Sequence, residues 1–262
     1  MSIAAVEKGN CRQAGPLVFG ILPYISAEQL VYRFSPLANY LSEKLQTPVR
    51  IETAPHFIEF ARRTHEDQHY DILFTAPHLY TQASHKAGFR LIASIDSPDM
   101  WAVIVVPKQS DIQIIEDLRG KHLATVHPLG LSTLLIRKRL LDADIDPDVD
   151  LNLVITPSHD ASLLSAYHGV TDAAALMLPT FEASSNKVQE SMRIIARTEK
   201  SPLIPISVGP RISDSCASEI TSVLLNIGAT PEGIAVLEHN KFTGFRKTSP
   251  DAYEELDKLL FR

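Results

Sequence analysis

The sequence predicts an α/β fold in two lobes, each built on a mostly parallel sheet flanked by helices, and three observations carry that prediction. Short apolar runs rich in β-branched residues recur along the chain, segments of helical period lie between them, and proline-marked interruptions fall at Asp96 to Asp99 and Lys200 to Pro205. Strands that alternate with helices build a sheet covered on both faces. A pair of interruptions is what two chain crossings between lobes would leave. The 262 residues are 45% hydrophobic and 21% charged, enough for two modest lobes and too apolar for disorder.

Taken in order, Leu17 to Leu22 reads as the first strand. Ala27 to Leu45 reads as a helix because Leu30, Phe34, Leu37, Ala38, Leu41 and Leu45 fall on one face. Pro36 inside it predicts a kink or a break. Strands at Val49 to Thr53 and Tyr70 to Thr75 bracket a helix at Phe57 to Arg63. Beyond the first interruption come strands at Ala102 to Val106, His122 to Val126, Leu153 to Ile155 and Asp172 to Met177. Helices at Ile114 to Leu118, Ser132 to Ala143 and Ala161 to Tyr167 lie among them. Beyond the second come a strand at Ile206 to Val208 and helices at Asp214 to Ile227, Pro231 to Glu238 and Pro250 to Leu260. The lobes are therefore expected over 15–98 with 203–262 and over 99–202, after a flexible segment at 1–14.

A formal net charge of −6 without a basic stripe excludes nucleic acid, whose phosphates would be repelled. Apolar runs such as Ala102 to Val106 are far short of the roughly 20 residues that span a bilayer. Residues 1–14 lack the apolar core of a secretory signal. Cys11 and Cys216 permit at most one bridge and have no CxxC spacing.

His65-Glu66-Asp67-Gln68-His69 satisfies H-E-x-x-H, in which two histidines one helical turn apart hold zinc and the glutamate acts as base. That chemistry needs a continuous helix, and the polar run from Arg62 leads straight into the strand at Tyr70, which puts His69 outside it. Neither G-x-S-x-G nor a P-loop is present, and neither cysteine has an activating partner placed by sequence. The chain is expected to be a binder of a small molecule, not an enzyme, with no cofactor and no bound metal. A zinc-dependent hydrolase through His65, Glu66 and His69 is the distant alternative.

In open α/β sheets, ligands bind outside the carboxyl ends of the strands. The loops there read Pro23-Tyr24-Ile25-Ser26, Ala54-Pro55-His56 and Ala76-Pro77-His78-Leu79-Tyr80 in the first lobe. In the second they read His127-Pro128-Leu129-Gly130-Leu131-Ser132-Thr133, Pro157-Ser158-His159-Asp160 and Leu178-Pro179-Thr180.

With those loops in view the chain resembles the phosphonate-binding protein family, the periplasmic phosphate, phosphite and phosphonate binders of ABC importers. The resemblance runs from about Leu17 to the final helix, through Gly20-Ile21-Leu22-Pro23, Tyr70-Asp71-Ile72 with Ala76-Pro77 and Tyr80, and Asp117-Leu118-Arg119-Gly120-Lys121. Ser158-His159-Asp160 and Gly169 with Asp172-Ala173-Ala174 complete it. It implies a type II periplasmic-binding-protein-like fold, a cleft between lobes that closes by hinge motion on a small anion or polar solute, and an extracytoplasmic location. The implied partner is a membrane permease, or a membrane sensor protein in a signalling variant, with the chain itself a monomer.

The resemblance also implies ligand-binding roles for Tyr24, Tyr80, Ser132, Thr133, His159 and Asp160, and the loops add His78 and His127, histidines beyond those expected for the family, and Trp101 at the crossing between lobes as further candidates. Bland readings stand beside these: Ser132 as a helix cap, Tyr24 and Tyr80 as core packing, Trp101 as hinge packing, and His56 and His127 as partners of nearby backbone. Imidazoles in these loops would equally donate to an oxyanion or hold a metal chelate. This chain departs from the family at Gly130 and Leu131, where phosphonate binders carry hydroxyl residues. Two such hydrogen bonds lost would weaken an oxyanion by about a hundredfold or more.

Overall fold

A computed structural model describes residues 11, 15–97 and 100–259. The chain divides into two compact units, one of Met1–Pro98 with Leu203–Asp257 and one of Asp99–Pro202 with Lys258–Arg262. Residues 258 and 259 thus group with the second unit, whereas the sequence suggested the first. Apart from Cys11, the segment 1–14 lies outside the described residues.

The first unit opens with β1 (Leu17–Ile21), α1 (Ala27–Leu45), β2 (Val49–Glu52), α2 (Phe57–His65), β3 (Ile72–Phe74), α3 (Pro77–Ala87) and β4 (Arg90–Asp96). It resumes with β10 (Pro205–Val208), α8 (Asp214–Leu225), α9 (Pro231–Asn240), β11 (Gly244–Arg246) and a 3₁₀ helix over Pro250–Leu259. Its sheet runs β11-β4-β10-β3-β1-β2. The second unit contains β5 (Ala102–Pro107), β6 (His122–Thr125), α4 (Leu131–Leu141), β7 (Asn152–Ile155) and α5 (His159–Tyr167). It continues with β8 (Ala173–Met177), α6 (Leu178–Glu182), α7 (Asn186–Ser191) and β9 (Met192–Arg197), in the strand order β7-β6-β8-β5-β9.

Both sheets are mixed rather than mostly parallel. Strands β1, β2 and β3 pair in parallel, but β10 pairs antiparallel with both β3 and β4. In the second sheet β5 does the same between β8 and β9, while β6 pairs in parallel with β7 and β8. The reason is connectivity, since a parallel neighbour needs a covering crossover. Strands β5 and β10 instead follow the two passages between units and run against the strands they separate. Sequence patterning found β5 and β10 but had no means to give their direction, and it passed over β4, β9 and β11.

Local physics accounts for several sequence features. The α1 helix runs through Pro36, where a kink or a break was expected, without breaking; the carbonyl four residues back, that of Tyr32, accepts from His239 Nε2 at 3.0 Å. Gly20 is required because a Cβ there would lie 2.4 Å from Cγ of the Tyr70 ring. The buried Asp71 carboxylate accepts from the Val18 N–H at 2.9 Å and from Arg211 Nη2 at 3.0 Å, pinning β1 and the segment after β10 to the start of β3. Asp117 accepts from the N–H groups of Gln113 and Ile114, and Gly120 takes φ +75° at the turn into β6. Asp172 accepts from the His122 N–H at 2.7 Å, fixing the entry to β8 beside β6.

Cys11 and Cys216 form a disulfide across a sequence separation of 205 residues, tying the N-terminal segment to the first turn of α8. Such a bridge belongs to an oxidising compartment. Among the described residues no helix is long and apolar enough to cross a membrane.

Candidate functional site

In the second unit the carboxyl ends of β6, β7 and β8 lie at one end of the sheet, because these strands run the same way. The loop after β6 turns at Gly130 and opens α4. Gly130 provides no side-chain cap, which leaves the first-turn N–H groups without the usual local acceptor. Ser132 is 1% exposed and its hydroxyl has no hydrogen-bond partner among the described residues. Thr133 is buried too, but its hydroxyl donates to the Val126 carbonyl at 3.2 Å and so accepts from Thr125 Oγ1 at 2.8 Å. Of the two hydroxyls predicted there, Ser132 is unsatisfied and Thr133 is bound within the protein.

Packing explains the departure at Gly130 and Leu131. A Cβ at Gly130 would sit 2.8 Å from Val126 Cγ2 and 3.0 Å from the His127 carbonyl oxygen. Leu131 packs against the core on the α4 side of the sheet. The turn is thus too tight for a hydroxyl residue at 130, and position 131 is given to the core.

The loop after β7 delivers Ser158, which caps α5 by accepting from the Ala161 N–H at 3.1 Å. His159 follows, half-buried, with Nδ1 buried and without a partner among the described residues. Burial holds its pKa below the ordinary histidine value, and the neighbouring Asp160 carboxylate offsets part of that fall. Asp160 itself is exposed in the first turn of α5. His127 is exposed, and its Nδ1 accepts from the Leu129 N–H at 3.1 Å, the backbone-satisfying role considered for it. Trp101 stands just before β5; its carbonyl accepts from the Leu178 N–H at 2.8 Å, so it borders the carboxyl end of β8. Its half-buried ring has Lys200 Nζ 5.3 Å from the centroid.

In the first unit the carboxyl ends of β1, β2 and β3 again share one end of the sheet. Tyr24, in the loop after β1, is 40% exposed; burial of its ring raises the phenol pKa, and the charge of Arg33 offsets part of that rise. His56 caps α2, its Nδ1 accepting from the Glu59 N–H at 3.2 Å. His78 is fully buried in the first turn of α3. Tyr80 is 3% exposed, with its ring edge-on to Tyr253 at 5.2 Å and its hydroxyl engaged by Ser84 and by the Leu91 backbone. These are packing surroundings, the plain alternative weighed for Tyr80.

Sequence reasoning passed over Thr75 at this end. It was read as the last residue of a strand, but β3 stops at Phe74, leaving Thr75 in the turn before α3 with a buried hydroxyl that has no partner among the described residues. A threonine directly before Ala-Pro at a strand end was the signal available.

The zinc motif does not survive. Helix α2 ends at His65, Gln68 takes φ +46°, and His69 Nε2 meets Glu52 Oε2 at 2.5 Å on β2. The two histidines do not share a helix face.

Two α/β units whose strand-end loops carry an uncapped helix N-terminus and buried, unsatisfied hydroxyls define a small-molecule binding protein with a type II periplasmic-binding fold. Residues 19–253 match the family model described as ABC transporter, phosphonate, periplasmic substrate-binding protein, and the chain belongs to that family. It is therefore the extracytoplasmic substrate-binding component of an ABC transporter, in a family whose role is capture and delivery and not catalysis. The phosphonates-binding periplasmic protein of Escherichia coli K12 is 25% identical over 248 residues, covering 90% of this chain and 73% of that one. The binding component of an ABC phosphonate transporter from Pseudomonas aeruginosa superposes with TM-score 0.78 at 18% identity, covering 94% of this chain and 85% of that one. PhnD1 of Prochlorococcus marinus, solved with methylphosphonate, gives TM-score 0.79 at 19% identity over 93% and 96% of the two chains.

Proposed function

We propose that this chain captures a small phosphonate-like oxyanion at the first turn of α4 and works as a monomer with its permease. The observation that carries the reading is the pairing of an uncapped helix N-terminus with the buried, unpartnered hydroxyl of Ser132. Free N–H groups and the positive end of the helix dipole favour an anion. A hydroxyl buried without a partner costs about 1–3 kcal/mol, which a ligand oxygen would recover. His159 Nδ1, similarly unpartnered at a strand end of the same unit, is proposed as a further contact, with Trp101 and Asp160 in the loops beside it. In the first unit Tyr24 and His78 are proposed as binding residues of the strand-end loops, where Thr75 Oγ1 is likewise unpartnered among the described residues. His127, Thr133 and Tyr80 are assigned to holding those loops in shape. Family membership and the methylphosphonate bound by the Prochlorococcus relative support the ligand class.

The test is thermal unfolding against methylphosphonate, phosphite, phosphate, sulfate, carboxylates and amino acids. A true ligand at about a hundred times its dissociation constant adds roughly 2.7 kcal/mol, raising the midpoint by about 5–10 °C. Ser132→Ala is expected to remove a charge-assisted hydrogen bond and weaken binding by roughly ten- to a hundredfold. No shift with any oxyanion would overturn the assignment. Light scattering of the liganded protein checks the monomer.

A further inference from the structure

Ser132 and His159 stand at the starts of two helices of the second unit that pack into separate cores. Side chains of β5 alternate between the faces of its sheet, Ile104 and Val106 on one and Val103 and Val105 on the other. Leu135, Ile136 and Leu140 of α4 pack on the first face, and Leu163 and Ala166 of α5 pack on the second. Apolar packing therefore holds each helix to the sheet but does not set the start of α4 against the start of α5.

A chain of hydroxyls passes round the carboxyl end of the sheet and does so. Thr125, the last residue of β6, donates from Oγ1 to Thr133 Oγ1 in the first turn of α4 at 2.8 Å, since the Thr133 proton goes to the Val126 carbonyl. The Thr125 carbonyl accepts from the residue that follows β7, from the Thr156 N–H at 2.8 Å and from Thr156 Oγ1 at 3.1 Å. Thr156 Oγ1 also lies 2.6 Å from Ser162 Oγ on α5 and 3.1 Å from the Ser158 carbonyl. A hydroxyl has one proton, so while Thr156 donates to either carbonyl it accepts from Ser162. Thr125, Thr133 and Ser162 are buried, where such bonds are costly to leave unmade. Capping of α5 accounts for Ser158 alone. It does not account for Thr156, whose hydroxyl reaches β6, 31 positions back, and α5 together.

We propose that Thr156 is the positioning residue of these binding loops. Through Thr125 it fixes the turn that presents Ser132, and through Ser162 and Ser158 it fixes the turn that presents His159, so that the two side chains act on a ligand together and not as independent contacts. Thr156 acts through the groups it holds. The inference rests on the oxyanion reading above.

Titration calorimetry of the full chain with methylphosphonate tests it. Thr156→Val keeps the shape, removes the hydroxyl and is expected to weaken binding by about three- to tenfold. Thr156→Ser keeps the hydroxyl and is expected to stay within about twofold of wild type. The decisive readout is coupling: Ser132→Ala and His159→Gln, made singly and together, are expected to depart from additivity by about threefold or more in the wild-type background and to be additive within about twofold beside Thr156→Val. A residue that only stabilises the fold would lower the urea midpoint and leave affinity and coupling alone. Retained coupling beside Thr156→Val, or a Thr156→Ser variant as weak as Thr156→Val, overturns the assignment while the oxyanion reading stands. If wild type binds no oxyanion, that reading fails and the positioning role fails with it. Should circular dichroism show that Thr156→Val does not fold, Thr125→Val breaks the chain one link earlier; the same loss of coupling is expected, and retained coupling overturns the proposal.

Discussion

Without β10 the first sheet would read β11-β4-β3-β1-β2, with β4, β3, β1 and β2 running one way and only the edge strand β11 running against them, and without β5 the second would read β7-β6-β8-β9, all one way. The two units share one plan, a parallel α/β sheet split by one returning strand, yet their strand ends differ in chemistry. The first unit carries the Arg33 guanidinium against the Phe34 and Phe242 rings, which meet Phe74 at the end of β3, and is closed covalently by Cys11–Cys216. The second carries an uncapped helix and neutral groups, Ser132 and His159, with no cysteine at all. The comparison teaches that one sheet plan carries different side-chain chemistry at its strand ends in the two units, and that only the first unit is stapled.

The largest expected effect tests the staple. Replacing Cys11 and Cys216 with serine opens a loop of 205 residues and is expected to cost about 2–5 kcal/mol, or roughly 5–20 °C in midpoint for a chain of this length. Hydrogen exchange followed by mass spectrometry should show the loss concentrated in the first unit, with amides of β6, β8 and α4 protected as before. Equal loss in both units would break the contrast.

Two glycines sharpen it next. Gly20→Ala places a methyl against the Tyr70 ring, which is itself stacked on Phe60 at 5.0 Å and has nowhere to go; a loss of about 1–3 kcal/mol is expected in chemical denaturation. Gly130→Ser, which restores the family's hydroxyl, meets a Val126 methyl and the His127 carbonyl and is expected to cost about 1 kcal/mol while weakening methylphosphonate binding, because the turn that aims the α4 N–H groups must shift. Tighter binding by Gly130→Ser would show that the missing hydroxyl, and not the tightness of the turn, limits this site.

How far these features were legible in the sequence follows from their range. The ends of α1, the strand-end loops and the failure of the zinc motif depend on neighbours within a few residues, and periodicity or a polar run sufficed. The direction of β5 and β10 depends on where the chain comes from and not on local composition, so patterning could name the strands without orienting them. Thr75 was missed for another reason: a threonine at a strand end is ordinary until its burial and the lack of a partner among the described residues are known. Tyr80 illustrates the converse, since an aromatic at a loop looks like a ligand contact until Tyr253, 173 positions on, is found against it.

The smallest effect concerns His159. Burial lowers its pKa in the folded chain relative to the ordinary value of about 6.5, so the unfolded chain binds the proton more readily. Stability therefore falls as pH drops below about 6.5 and levels off once the folded-state pKa is passed, the direction given by proton linkage. His65, also lowered by burial and by Lys86, contributes in the same direction from the first unit. Single replacements separate them: His159→Gln should flatten part of the acid limb of the midpoint-against-pH curve and His65→Gln another part. Of these two replacements, only the first should change the pH dependence of methylphosphonate binding, since His159 stands at the strand end proposed to hold the ligand and its Nδ1 is unpartnered among the described residues. If His65→Gln shifts ligand binding with pH and His159→Gln does not, the contact proposed for His159 is overturned.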